Sequence, residues 1–178
     1  LITAIGLAVF AYSKPYIKDR LQTFINPSQN QLSSGYQLNQ SLIAIGSGGM
    51  FGRGFGQSVQ KFSFLPEPIG DSIFAVMAEE FGFVGSIGLI FLYLFFAFRG
   101  LRIAMNSPDT FGGLLAFGIV ILIVTQSFFN IGAMLGILPL SGIPLLFVSH
   151  GGTALFITLA EAGIVLNISL FQSNKRLV

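Results

Sequence analysis

Three long apolar stretches decide what this chain can become. Residues 72–98 are apolar except for Ser72, Glu79, Glu80 and Ser86, and residues 111–138 are interrupted mainly by Thr125, Gln126, Ser127 and Asn130. Residues 143–171 follow a Pro-Leu-Ser-Gly turn at 139–142. Each run exceeds the ~20 apolar residues a helix needs to cross a hydrocarbon core of roughly 30 Å. Composition agrees: the 178 residues are 53% hydrophobic and 9% charged, against roughly 25% charged in a soluble domain. The chain reads as an all-α polytopic membrane protein, a bundle of transmembrane helices whose outer surface faces lipid.

The same composition excludes other classes. A chain with 20 Phe, 22 Gly and so few charges is neither disordered nor a nucleic-acid binder, since both need high charge density. The absence of cysteine excludes disulfides, thiolate catalysis and Cys-based metal sites, and a single histidine, His150, does not make a His-rich one. The run 1–12 rises only some 18 Å as a helix, so we expect a partial span and the rear piece of a longer polytopic protein. A signal peptide is not indicated, because no basic stretch precedes the run and no small-residue cleavage site follows it.

The connectors set the sidedness. Arg99 and Arg102 in one short loop, with Lys175 and Arg176 in the tail 172–178, mark that side as cytoplasmic, while the opposite turn at 139–142 has no basic residue. The polar, Gly-rich loop 13–70 is then the large extracytoplasmic loop, and loops this long are usually functional. Its five cations, Lys14, Lys18, Arg20, Arg53 and Lys61, suit either lipid phosphates and solvent or an anionic substrate head group. No ATP is available outside the cytoplasm, so an enzyme there needs a substrate that brings its own leaving group. A lipid-linked pyrophosphate sugar meets both conditions.

Within that loop, residues 46–56 hold six glycines in eleven positions. Neither a P-loop nor a Rossmann turn is present, and the glycines fit a broken or re-entrant segment, with 41–45 and 62–65 dipping into the interface. Asp71 stands at the boundary before the first full span. It is either a helix N-cap or a general base whose pKa is raised by partial desolvation. Glu79 and Glu80 follow at roughly 12–13 Å of helix rise, a depth that demands a cationic partner or a wet functional cavity. Ser149-His150 lacks a GxSxG context, which argues against a hydrolase triad. Glu161, deep in the last run, is expected to face the bundle interior.

Several of these segments resemble one family closely. GYQLNQSLIAIGSGGMFGRGFG at 35–56, SVQK at 58–61, LPE at 65–67, Asp71, Ile73-Phe74 and Glu79-Glu80 are similar to the signature of the SEDS proteins (shape, elongation, division and sporulation). GIP at 142–144 and FVSHGG at 147–152 resemble the second motif of that family. Gln60-Lys61 and GIVLNIS at 163–169 look more like the division-type branch than the elongation-type one.

The resemblance implies a ten-helix protein of the bacterial inner membrane, of which this chain is the C-terminal part. It also implies polymerisation of glycan strands from lipid II with release of undecaprenyl pyrophosphate. Asp71 maps onto the essential family aspartate, the proposed base. Arg20 and Lys61 match basic positions suited to pyrophosphate, Arg53 lies where basic residues are common, Glu80 matches an acidic position near the cavity, and Gln40 falls within the signature as a further substrate contact. The implied partners are lipid II, a class B penicillin-binding protein acting as transpeptidase, other division-site membrane proteins and the membrane lipids. A carboxylate beside a pyrophosphate also suits Mg²⁺ or Mn²⁺. Ile69-Gly70 and Ser72 replace the family's usual neighbours of the aspartate, which implies altered packing with the base retained. His150 stands where Tyr is usual, and Glu161 where the family is commonly apolar. A lipid-substrate flippase and a non-catalytic division scaffold are the alternative readings.

Overall fold

The computed structural model describes residue 20, residues 23–25 and residues 34–174. Residues 1–12, Lys14, Lys18 and the Lys175-Arg176 pair lie outside the described residues. The helices are α1 (Ser34–Gly48), α2 (Gln60–Ser63), α3 (Ile73–Met105), α4 (Thr110–Met134) and α5 (Gly152–Asn174). There is no strand among the described residues, and α3, α4 and α5 are long and apolar enough to cross a membrane.

The hairpin of α3 and α4 forms the frame. Asp109 caps α4 by accepting from the Gly112 amide at 2.6 Å, and Gly100 lets α3 approach the Val120 methyl groups where any side chain would collide. Val120 belongs to a core of Ala104, Ala116, Ile119, Ile123, Leu146 and Val165, which joins α3, α4 and α5. A second core of Leu38, Phe74, Tyr93, Ile131, Met134, Leu140 and Leu145 seats α1 and the loop after α4 at the other end of the hairpin.

The helix ends differ from the apolar runs. α3 continues past residue 98 to Met105, because Arg99 and Arg102 extend from a helix as readily as apolar residues do. α4 stops at Met134 instead of 138. Gly136 takes φ 71° and its amide bonds the Ala133 carbonyl, while the Ile137 amide bonds that of Gly132 at 2.9 Å, a Schellman termination. The last helix starts at Gly152, so residues 143–151, expected within the span, form a return loop. Leu145 and Leu146 are apolar there because they are buried in the protein.

The glycine-rich segment has a definite role. α3 is broken at Gly82, which has φ 68° and ψ −163°, so the Phe83 and Val84 amides no longer meet the carbonyls of Glu79 and Glu80. They donate to Gly49 and Met50 at 2.9 and 3.2 Å, while the Arg53 and Gly54 amides donate to Glu79 and Glu80, both at 3.0 Å. Two helical hydrogen bonds are thus exchanged for four with the loop, so the two amides and two carbonyls freed at the break all find partners. Residues 41–45 are helical, within α1. The portion of α3 from Phe83 to Met105 rises about 34 Å, enough by length to cross a hydrocarbon core without the turns that carry Glu79 and Glu80.

A β-carbon on Gly82 would collide with the Gly52 amide and the Met50 carbonyl, and its φ is strained for any L side chain. Gly82→Ala is expected to destabilise the protein by about 2–3 kcal/mol and to remove hydrogen-exchange protection at Phe83 and Val84. Gly88→Ala, with open space around it, should be neutral or stabilising. Retained protection in Gly82→Ala would contradict the exchange of hydrogen bonds.

Candidate functional site

Asp71 lies one residue before the cap of α3. Ser72 occupies the N-cap position and its side chain makes no capping bond; its hydroxyl donates to the Pro66 carbonyl at 2.9 Å and accepts from Gln37 at 3.0 Å. The N-cap reading of Asp71 therefore fails, and its half-buried carboxyl is not spent on helix amides. Arg20 reaches the same place from a distant part of the chain, donating to the Leu140 carbonyl at 2.6 Å. Gly142 (φ 70°) separates the two: a β-carbon there would lie 3.3 Å from Arg20 Nη2 and 3.4 Å from Asp71 Oδ2. Glycine at 142 thus keeps the space between cation and carboxyl open.

The strip before α3 is strapped to the return loop. The His150 amide donates to the Ile69 carbonyl at 2.8 Å, Ser149 Oγ to Gly70 at 2.8 Å, and Asn130 Nδ2 to Asp71 at 2.9 Å and to Ile143 at 2.6 Å. Three consecutive carbonyls are each taken by a donor from the far side of the sequence. His150 serves through its peptide, which any residue except proline supplies, and its side chain is exposed. Sequence reasoning passed over Asn130, Gln37 and the structural use of Ser149. Asn130 did leave a signal, since an amide near the end of an apolar run needs partners.

Desolvation pushes the Asp71 carboxyl above its ordinary range, the Glu67 carboxylate adds to the rise, and Arg20 opposes both. A carboxylate raised in this way is a better proton acceptor than a solvated one.

Arg53, Lys61, Glu79 and Glu80 form a second group. Glu79 is buried and accepts from Ser58 Oγ at 2.6 Å, from the Val59 and Gln60 amides at 3.1 and 3.3 Å, and pairs with Arg53 at 3.6 Å. Lys61 donates to Glu80 at 3.0 Å. The two acids thus take separate cations. The partners come from the loop and α2 instead of a neighbouring spanning helix. Gln40 stands apart, in an open groove of about 550 Å³ along α1 with Tyr36, Asn39, Leu42 and Ile43. Glu161 is half-buried in α5 and makes no ion pair among the described residues. No three His, Asp or Glu side chains gather as a metal site among the described residues.

Comparison with known proteins gives one consistent result. Residues 1–174 match the profile of the FtsW, RodA and SpoVE family, described as "Cell cycle protein". Stage V sporulation protein E of Bacillus subtilis is 43% identical over 172 residues, which are 97% of this chain and 47% of that protein. The probable peptidoglycan glycosyltransferase FtsW of Saccharophagus degradans is 45% identical over 168 residues, 93% of this chain and 43% of that one. A solved structure described as "Structural coordination of polymerization and crosslinking by a peptidoglycan synthase complex" shares the fold with a TM-score of 0.68 and 28% identity, over 95% of this chain and 46% of the solved one. The chain spans a little under half the length of the curated relatives it matches.

The titration of Asp71 is directly measurable. Carboxyl NMR should place its midpoint above that of a solvated aspartate. Glu67→Gln removes a like charge and is expected to lower the midpoint; Arg20→Ala removes the opposing cation and is expected to raise it. A midpoint that ignores both substitutions would contradict the electrostatic arrangement.

Proposed function

We propose, from the premise that this chain belongs to the FtsW, RodA and SpoVE family of cell cycle proteins, that it carries the catalytic aspartate of a peptidoglycan glycosyltransferase that polymerises lipid II. The observation that carries this reading is Asp71 held on a strapped, non-helical strip with Arg20 beside it across Gly142. An acceptor-sugar hydroxyl attacks the anomeric carbon of the lipid-linked glycan. The new C–O bond forms as the bond to pyrophosphate breaks, the electron pair leaves on undecaprenyl pyrophosphate, and the hydroxyl proton passes to Asp71. The raised pKa of Asp71 serves proton abstraction, and Arg20 is placed to meet the pyrophosphate charge. Lys61, paired with Glu80, and Arg53, paired with Glu79, shape the outer part of the substrate site, with Gln40 on α1 beyond them.

The same reading places the site on the extracytoplasmic face of the bacterial inner membrane, in division-type wall synthesis, with a class B penicillin-binding protein as partner transpeptidase. Chemistry is favoured over flipping because Glu79 and Glu80 are neutralised by Arg53 and Lys61. Among the described acidic residues that leaves Glu161 alone inside a spanning segment without an ion pair, which is not a charged path across the bilayer. The described residues gather no cluster of three carboxylates or histidines, so a Mg²⁺ or Mn²⁺ ion would be held chiefly by pyrophosphate oxygens and water and would supply charge neutralisation of the leaving group, with Asp71 left to accept the proton.

In the intact protein reconstituted with its transpeptidase, Asp71→Asn is expected to lower lipid II polymerisation by about 10²–10⁴-fold while substrate flipping and partner binding stay unchanged. Retained polymerisation would remove Asp71 as the base, and loss of flipping alone would favour the transporter. A time course with and without divalent cation tests the metal.

A further inference from the structure

We infer that Asn130 and Ser149 are positioning residues for Asp71, which together fix the place of its carboxyl relative to Arg20. The inference rests on the reading of Asp71 as the base. Residues 69–71 precede α3 and have no helical hydrogen bonds to hold them; locally, only the turn bonds from the Gly70 and Ser72 amides to the Glu67 carbonyl act on this strip. The three carbonyls of 69–71 depend on outside donors, and two of those donors are side chains.

Asn130 ties Asp71 to Ile143 with one amide group, and Ile143 follows the glycine at which Arg20 and Asp71 converge. Ser149 donates to Gly70 while accepting from the Leu145 amide at 2.8 Å, so it closes the return loop and holds the strip at once. Asn130 is buried, and its Oδ1 has no hydrogen-bond partner. Turning the amide over would set that oxygen against two carbonyl oxygens, so its orientation is dictated by the donor bonds alone. The bare acceptor is a local penalty, offset by the two bonds on Nδ2. Such a buried amide has its use in the strip it holds.

A displacement of about 1 Å of a catalytic group can cost about 100-fold in rate. With the intact protein and its transpeptidase in liposomes, Asn130→Ala and Ser149→Ala are expected to lower kcat about 10–100-fold at nearly unchanged KM, normalised to folded protein. Both should also move the acidic limb of the pH–rate profile to lower pH. The active form of the base is the deprotonated one, and a loosened Asp71 gains solvent, so its raised pKa relaxes downwards. Ser149→Thr keeps the hydroxyl and should restore most of the rate, whereas Asn130→Asp, which sets a carboxylate against two carbonyls, should not. Unchanged kcat and an unmoved acidic limb overturn the inference, as does a loss of folded protein with the limb in place. If Asn130→Ala does not fold, the Ser149→Ala and Ser149→Thr pair decides. Retained polymerisation in Asp71→Asn would instead remove the base reading itself, so the two failures are distinguishable.

Discussion

The need to leave no backbone polar group bare beside an apolar phase organises this structure, and it acts most sharply at Gly82. A helix broken there exposes two amides and two carbonyls, each expensive to bury unpaired. The glycine-rich loop supplies all four partners, which requires its main chain to approach α3 more closely than any side chain at 52 or 82 permits. Once the loop is drawn in, Arg53 and Lys61 come to lie against Glu79 and Glu80. The glycines, the adjacent acids and the two loop cations, which look like separate features in the sequence, are one unit.

The acids of the site are treated in opposite ways. Glu79 is surrounded by the Ser58 hydroxyl, two amides and Arg53, bonds that tie α3 to the start of α2. Around Asp71 the strap bonds fall on the main-chain carbonyls of 69–71. The carboxyl itself meets partial burial, a like charge from Glu67 and one opposing cation. The first arrangement suits structure and the second suits proton transfer.

The spans were legible because a lipid-crossing helix needs an uninterrupted apolar length, and α3 and α4 advertise it. Their ends were not, since an arginine near the head groups does not stop a helix and the Schellman turn at Gly136 is a matter of local geometry. Residues 143–151 misled for a simple reason: an apolar loop buried in protein has the same composition as a helix buried in lipid. Asp71 was legible from its boundary position, and Arg20 from the motif resemblance. The donors that hold Asp71 lie 59 to 81 positions away in sequence, a separation that no local pattern encodes.

The placement of Asp71 one residue outside α3 explains why those distant donors are needed. As an N-cap it would turn its carboxylate toward the first helical amides and the positive end of the helix dipole, both of which lower a carboxyl pKa. With Ser72 in the cap position, Asp71 escapes that stabilisation, and desolvation with the Glu67 charge raises its pKa against Arg20. A residue outside the helix also loses the regular bonds that would fix its backbone. The polar side chains of Asn130 and Ser149 bond the backbone carbonyls of Asp71 and Gly70 and leave the carboxyl itself untouched. A carboxyl set outside the helix must be held by something other than the helix, and here the return loop and α4 hold its backbone.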